Sequence, residues 1–86
     1  MNRDRELAHK ERVYNQLRDF EIGSFCRLVT DRGNGQIENL ARFEGFDSER
    51  NPRLYIGSPV SQVMLDIEKI GGYSSIVSIR ENSWVH

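Results

Sequence analysis

Apolar residues recur at helical spacing through the first twenty residues of the chain. Residues 3–20 contain neither Gly nor Pro, and the positions between the apolar ones are mostly charged. One stripe, with Val13 beside it, is formed by Leu7, Lys10 (through its aliphatic stem), Tyr14, Leu17 and Phe20. Spacing of three and four residues is typical of one face of an α-helix. The pattern predicts an N-terminal amphipathic helix over residues 1–20, which needs a surface to lie against.

From residue 23 onward the pattern changes to short runs rich in β-branched and aromatic residues, which are typical of strands. Such runs cover residues 24–30, 36–43, 53–56 and 74–80. Between the first two runs, Asp31-Arg32-Gly33-Asn34-Gly35 is the strongest turn signal, because Gly and Asn tolerate positive φ. Residues 45–52 are polar and predict a loop. Residues 23–80 therefore form a predicted β-rich body.

Residues 58–70 allow two interpretations. Ser58 is a good N-cap, Pro59 suits a first helical turn, and Gly71-Gly72 suits a C-terminal stop. One helical face would carry Val60, Val63, Met64, Ile67 and Ile70. The alternation of Val63, Leu65 and Ile67 instead suits a strand. The sequence favours a short helix, since its start and stop signals agree with its period.

Composition limits the architecture and the compartment. The chain has 86 residues and a formal net charge of -1, which predicts a single domain over residues 1–86. No apolar run approaches the ~20 residues of a membrane span, and the N-terminus lacks a signal-peptide core, so no membrane association is expected. The single Cys excludes an internal disulfide and predicts a reducing, cytoplasmic location.

The elements together predict an α+β fold, with an N-terminal amphipathic helix followed by a small antiparallel sheet and a second short helix. The order of strands and turns between residues 23 and 80 also resembles a small SH3-like barrel, the class that includes KOW and Tudor modules. The matching features are the Gly-rich turn at residues 33–35 and a helical turn before the last strand. This resemblance implies an alternative architecture, an N-terminal helix plus an SH3-like barrel, and assigns no site residue.

No arrangement typical of catalysis or of cofactor binding is present. Cys26 lies inside a predicted strand, where a small buried side chain is expected. His9 and His86 have no metal-ligand spacing with each other or with Cys26. Asp66 and Glu68 would share a face only on a strand. The Gly-rich turn lacks the Lys and the Ser or Thr of a P-loop. The sequence predicts a non-enzymatic protein without metal or cofactor.

Two functions fit these patterns. The first is a protein-binding module (an adaptor, inhibitor or assembly factor) that acts by occupying the surface of another protein. Its expected contacts are aromatic anchors, Tyr55, Tyr73 and Trp84.

The alternative is a small nucleic-acid-binding domain that uses the first hairpin. Its expected contacts are Arg27, Arg32 and Arg42, which lie near Phe25 and Phe43 in the sequence pattern. Basic and aromatic residues on a sheet can bind single-stranded nucleic acid. The near-zero net charge argues against a chain that coats nucleic acid by bulk electrostatics, but permits a local basic patch.

Overall fold

A computed structural model of the chain describes residues 2–58 and 60–82. One helix precedes five strands, and a 3-10 turn at Tyr73–Ser75 leads into the last of them. The elements are α1 (Asn2–Leu17), β1 (Phe25–Asp31), β2 (Gln36–Phe46), β3 (Pro52–Ser58), β4 (Ser61–Met64) and β5 (Ile76–Glu81). The predicted α+β class is confirmed. No helix in the described part of the chain is long and apolar enough to cross a membrane.

The five strands form one antiparallel sheet in the order β4-β3-β2-β1-β5. Strands β4 and β5 are its two edges, and no pairing joins them within residues 2–58 and 60–82. Directly paired residues share a face of the sheet, and successive residues alternate between the faces. The sheet therefore has an inner face, which helix α1 covers, and an outer face, which carries most of its exposed polar side chains.

The core lies between helix α1 and the inner face of the sheet. Fully buried members include Val13 and Leu17 from α1 and Cys26, Leu28, Ala41, Phe43, Leu54, Ile76 and Ile79 from the strands. Aromatic rings connect the two layers: the Tyr14 and Phe46 ring centroids lie 4.7 Å apart, and those of Phe43 and Phe46 5.2 Å apart. Edge-to-face and tilted pairs of this kind stabilise a core beyond their buried area.

The predicted helical stripe is wrong at its first position. Leu7 is 56% exposed, because the first turns of α1 border a groove rather than the sheet. The helix also ends earlier than expected, at Leu17. Phe20, in the turn that follows, still contacts the core, with its ring centroid 6.4 Å from that of Phe43.

The first hairpin has the predicted turn. Gly33 and Gly35 adopt φ values of 101° and 105°, and the Asp31 carboxylate accepts a 2.7 Å hydrogen bond from the Gly33 amide. Such a side-chain-to-backbone bond stabilises the turn locally. Strand β2 continues to Phe46 through a bulge after Phe43, so the predicted loop over residues 45–52 begins later than expected.

The helix predicted over residues 58–70 is wrong, and the strand alternative holds for Ser61–Met64. Strand β4 pairs with β3, and a 2.7 Å hydrogen bond from the Leu65 amide to the Leu54 carbonyl extends that pairing. Gly57 permits this close hairpin, because a Cβ there would collide with the Ser61 carbonyl oxygen. The pairing is accompanied by packing of Leu65 and Ile67, which follow β4, against the core.

Helix α1 is fixed to the 3-10 turn by side-chain hydrogen bonds. The Glu6 carboxylate accepts bonds from the backbone amides of Tyr73 and Ser74, at 2.5 and 3.0 Å. Nearly two turns further along α1, the Arg12 guanidinium donates a 2.8 Å bond to the Ile76 carbonyl. These contacts orient α1 relative to the 3-10 turn and the start of β5.

Candidate functional site

An open groove of about 900 Å³ lies between the first half of α1, the loop joining β2 to β3, and the segment that follows β4. Its floor is apolar and is formed by Leu7, Pro52, Met64, Leu65 and Ile67. Leu7 is 56% exposed and Met64 53% exposed. The groove therefore presents large apolar side chains to solvent in a concave surface, which is the usual shape of a binding site.

Charged residues surround this floor in balanced number. The cations are Arg3, Lys10, Arg53 and Lys69, and the anions are Glu6, Asp47, Asp66 and Glu68. Because the lining carries four residues of each sign, the groove has no strong field of one sign. Such a rim suits orientation of a partner better than long-range attraction of it.

Two of the rim carboxylates are held by the fold. Burial raises the pKa of the Glu6 carboxyl, but the hydrogen bonds donated by the Tyr73 and Ser74 amides outweigh it, so the pKa lies below its ordinary value. Hydrogen bonds from the Asn51 and Glu49 amides similarly lower the pKa of Asp47. Both groups are ionised at neutral pH and already have hydrogen-bond partners.

Tyr73 closes the inner end of the groove through a polar network. Its hydroxyl donates a 2.6 Å hydrogen bond to Asn51 Oδ1, and Asn51 Nδ2 donates a 3.2 Å bond to Asp47 Oδ2. Burial, with the nearby Asp47 and Glu6 carboxylates acting in the same direction, raises the pKa of Tyr73 to about 12. The phenol therefore remains a neutral hydrogen-bond donor.

The structure places the two described aromatic anchors, Tyr55 and Tyr73, in different environments. Tyr73 is only 7% exposed and belongs to the core. Tyr55 is half-buried on the outer face of β3, with the Arg42 guanidinium 5.5 Å from its ring centroid. Trp84 lies outside the described residues. Of the two described aromatics, only Tyr55 offers part of its ring to a partner.

The outer face of the sheet carries two rows of cross-strand neighbours. In the first row, Arg42 lies between Phe25 of β1 and Tyr55 of β3, and Met64 of β4 continues the row. The Arg42 side chain is also bound to Glu44, with 2.6 Å between Nε and Oε2. This row therefore combines one compensated cation with aromatic and apolar side chains.

In the second row, Arg27 of β1 is paired with Leu40 on one side and with Arg80 of β5 on the other. The Arg27 guanidinium lies 3.3 Å from Glu38 Oε2 and 3.2 Å from Asn82 Oδ1. Within the described part of the chain, no ion pair compensates Arg80. Two exposed arginines therefore occupy directly paired positions on adjacent strands.

The remaining residues expected at a nucleic-acid site lie apart from these rows. Arg32, at the tip of the first hairpin, donates a 2.5 Å hydrogen bond to the Lys69 carbonyl. Phe43 is buried on the inner face, opposite to Arg42 on the outer face. Only Arg27 and Arg42 of the three expected arginines share the outer face, in neighbouring rows.

The residues considered for chemistry have structural positions. Cys26 is fully buried, and burial raises the pKa of its thiol to about 11. Asp66 and Glu68 are exposed in the turn after β4, where Asp66 Oδ1 accepts a 3.1 Å hydrogen bond from the Glu68 amide. Across residues 2–58 and 60–82, no group of three or more His, Cys, Asp or Glu residues could hold a metal ion.

Sequence patterns missed the groove and the contribution of Arg80 to the outer face. Leu7 and Met64 were assigned to apolar helical faces, and only the packing of the chain shows that they line a groove. Arg80 gave no signal at all, because its proximity to Arg27 depends on the register of β5 against β1. Compared with known proteins, the chain matches no protein-family model, no curated protein and no solved structure at a significant level.

Proposed function

We propose that this chain is a non-enzymatic protein-binding module, an adaptor, inhibitor or assembly factor, that docks a partner protein in the groove beside α1. The observation that carries this proposal is the exposure of Leu7 beside the partly buried Leu65 and Ile67 in one concave surface with an apolar lining. Exposed apolar groups gathered in one place mark interaction sites more often than chance surface. Burial of a Leu or Met side chain contributes about 1.5–3 kcal/mol.

The proposed docking mode uses the floor for affinity and the rim for selection. An apolar side chain of the partner would cover Leu7, while the mixed charges of the rim would favour partners of matching pattern. A few central anchors surrounded by polar groups are typical of protein interfaces. The proposed location is a reducing compartment such as the cytoplasm, which the single buried thiol of Cys26 supports.

The test is capture of partners from native lysate by the immobilised full chain, followed by mass spectrometry. Leu7→Asp places a charge on the groove floor, and Ile22→Asp is the matched control because Ile22 is 71% exposed and does not line the groove. We expect the same proteins with the wild type and Ile22→Asp, and their loss with Leu7→Asp. Equal capture by all three proteins would contradict the proposal.

A second candidate function, binding of single-stranded nucleic acid on the outer face, is favoured by the pairing of Arg27 with Arg80. Like charges directly opposite each other destabilise a sheet, and a bound phosphate would relieve this repulsion. Tyr55 and Phe25 in the adjacent row could stack on bases.

Fluorescence polarisation with a labelled fifteen-nucleotide oligothymidylate tests this second function. If the outer face binds it, Arg80→Ala should weaken binding and reduce its salt dependence, whereas Arg3→Ala, on the groove rim, should not. If the wild type shows no binding at low salt, the second function is excluded for this probe.

A further inference from the structure

Strand β4 presents an unpaired edge with a defined set of backbone groups. The hydrogen bond from the Leu65 amide to the Leu54 carbonyl fixes which residues of the β3–β4 pair are bonded to each other. Bonded and non-bonded pairs alternate in an antiparallel ladder. Gln62 and Met64 therefore direct their amide and carbonyl groups away from β3, and no strand within residues 2–58 and 60–82 pairs with them.

Apart from its short length, this edge lacks the features by which proteins protect exposed strands. The sequence of β4, Ser61-Gln62-Val63-Met64, contains no charge, and Val63 is 67% exposed. Strand β5, at the opposite edge, carries Arg80 and Glu81, and the Arg12 side chain occupies its first carbonyl. Charges and covering groups are the usual protection against strand addition. Of the two edges of the sheet, β4 is the one open to pairing.

We infer that β4 binds an extended segment of the partner protein as an added antiparallel or parallel strand, and this inference rests on the proposed protein-binding function. The free amide and carbonyl groups of Gln62 and Met64 would bond to the backbone of that segment. Its alternate side chains would lie on Val63 and on Met64, at opposite faces. Strand addition of this kind gives affinity through the main chain and specificity through alternate side chains.

The length and charge of β4 determine the kind of occupant. A stable interface between globular proteins uses about 20–30 residues on each side, whereas β4 has four residues, too few to hold a second copy of this chain by itself. An extended segment can continue past Met64, which also lines the groove. Because β4 carries no charge and Val63 is 67% exposed, an added strand with apolar residues at alternate positions would cover Val63.

A phage-displayed library of random twelve-residue peptides, selected in parallel on the full chain and two variants, tests this inference. Gln62→Pro removes one outward amide and leaves the pairing with β3 intact, since proline is tolerated where an edge amide faces solvent. Gln62→Ala is the matched control, which changes the side chain and keeps the amide. We expect peptides with alternating apolar residues to be enriched on the wild type and on Gln62→Ala, and to bind Gln62→Pro at least tenfold more weakly.

The selected peptides provide a second measurement that does not depend on the folding of a variant. Two synthetic copies of such a peptide would carry N-methyl groups on alternate backbone amides, one copy on the odd-numbered residues and the other on the even-numbered residues. One of the two copies should bind the wild type at least tenfold more weakly. Equal binding of both methylated copies, or no enrichment on the wild type, would overturn the inference. A concentration-dependent dimer that Gln62→Pro abolishes would also overturn it, in favour of a second copy.

The outcomes separate this inference from the proposed function. Peptides that bind Gln62→Pro as tightly as the wild type, but not Leu7→Asp, would retain the groove as a protein-binding site and reject the strand edge. Peptides that bind Leu7→Asp normally, but not Gln62→Pro, would retain the edge and reject the groove.

Discussion

Glu6 joins the helix to the sheet layer through a single carboxylate that accepts two backbone amides. Its folded-state pKa is below the ordinary value of 4.5, so its ionised form stabilises the folded chain. That contribution is complete above pH 4.5 and is lost as the pH falls through the lower folded-state value.

The first prediction follows from the lowered pKa of Glu6 in the folded chain. Glu6→Gln should lower the free energy of unfolding at pH 7, because the neutral amide accepts the Tyr73 and Ser74 bonds more weakly. The gap between the two proteins should narrow as the pH falls below 4.5. Urea unfolding at several pH values measures both curves. A constant gap down to pH 2 would show that ionisation of Glu6 does not stabilise the fold.

The second prediction concerns the glycine beside this contact. Gly72 has a φ of 83°, and a Cβ there would collide with the Glu6 carboxylate. Gly72→Ala should destabilise the fold by about 1–3 kcal/mol through backbone strain, and further by displacing Glu6. Gly33→Ala is the control, because Gly33 has a φ of 101° but open space around it. Thermal unfolding should show the larger loss for Gly72→Ala.

Cys26 provides a third prediction at the level of one residue. Full burial, with its thiol pKa raised to about 11, should make it unreactive toward a thiol reagent in the native state at pH 8. Addition of denaturant should expose the thiol and allow rapid labelling. Fast labelling of the native protein would show that β1 opens or that Cys26 is not in the core.

Among the elements, the segment after β3 shows why local signals failed. Ser58, Pro59 and the glycines at 71 and 72 mark a helix only if the residues between them stay together as one unit. Residues 61–64 pair with β3, which provides their backbone partners. Leu65 and Ile67, which follow them, pack against the core. Tertiary pairing therefore overrides start and stop signals, and the glycines serve the turn before β5 instead.

The fourth prediction distinguishes the strand from the helix in solution. Leu65→Ala and Ile67→Ala should each cost about 1–3 kcal/mol, because both side chains are partly buried against the core. Ser58→Ala should be close to neutral, since Ser58 ends β3 and caps no helix. Denaturant unfolding of the three variants checks this. A loss of about 1 kcal/mol or more at Ser58 with little effect at Leu65 would support the helix.

For the molecule as a whole, elements that depend on a short repeat of apolar residues could be predicted from the sequence. Features that depend on contacts between distant segments could not. The α1 stripe, the Gly33–Gly35 turn and the strands around Cys26 and Ile79 follow from alternation that each segment carries by itself. The end of β2 was missed because its bulge at Phe43 depends on pairing with β3. Local pattern therefore specifies the elements, and their pairing specifies their ends.

The candidate surfaces were less predictable than the fold for the same reason. Tyr73 looks like a free aromatic in the sequence, yet it is buried by the helix and bonded to Asn51. Leu7 looks like a core residue, yet it borders the groove. Whether an apolar residue is buried or exposed depends on how the elements around it pack.

The measurement that tests the account most directly is photo-crosslinking in native lysate with a benzophenone residue at position 7, 22 or 80. Position 7 lies on the groove floor, position 22 on an exposed site away from it, and position 80 on the outer sheet face. We expect position 7 to crosslink to the protein that the immobilised chain captures, and position 22 not to crosslink to it. Crosslinks to nucleic acid from position 80, with no protein at position 7, would contradict the account.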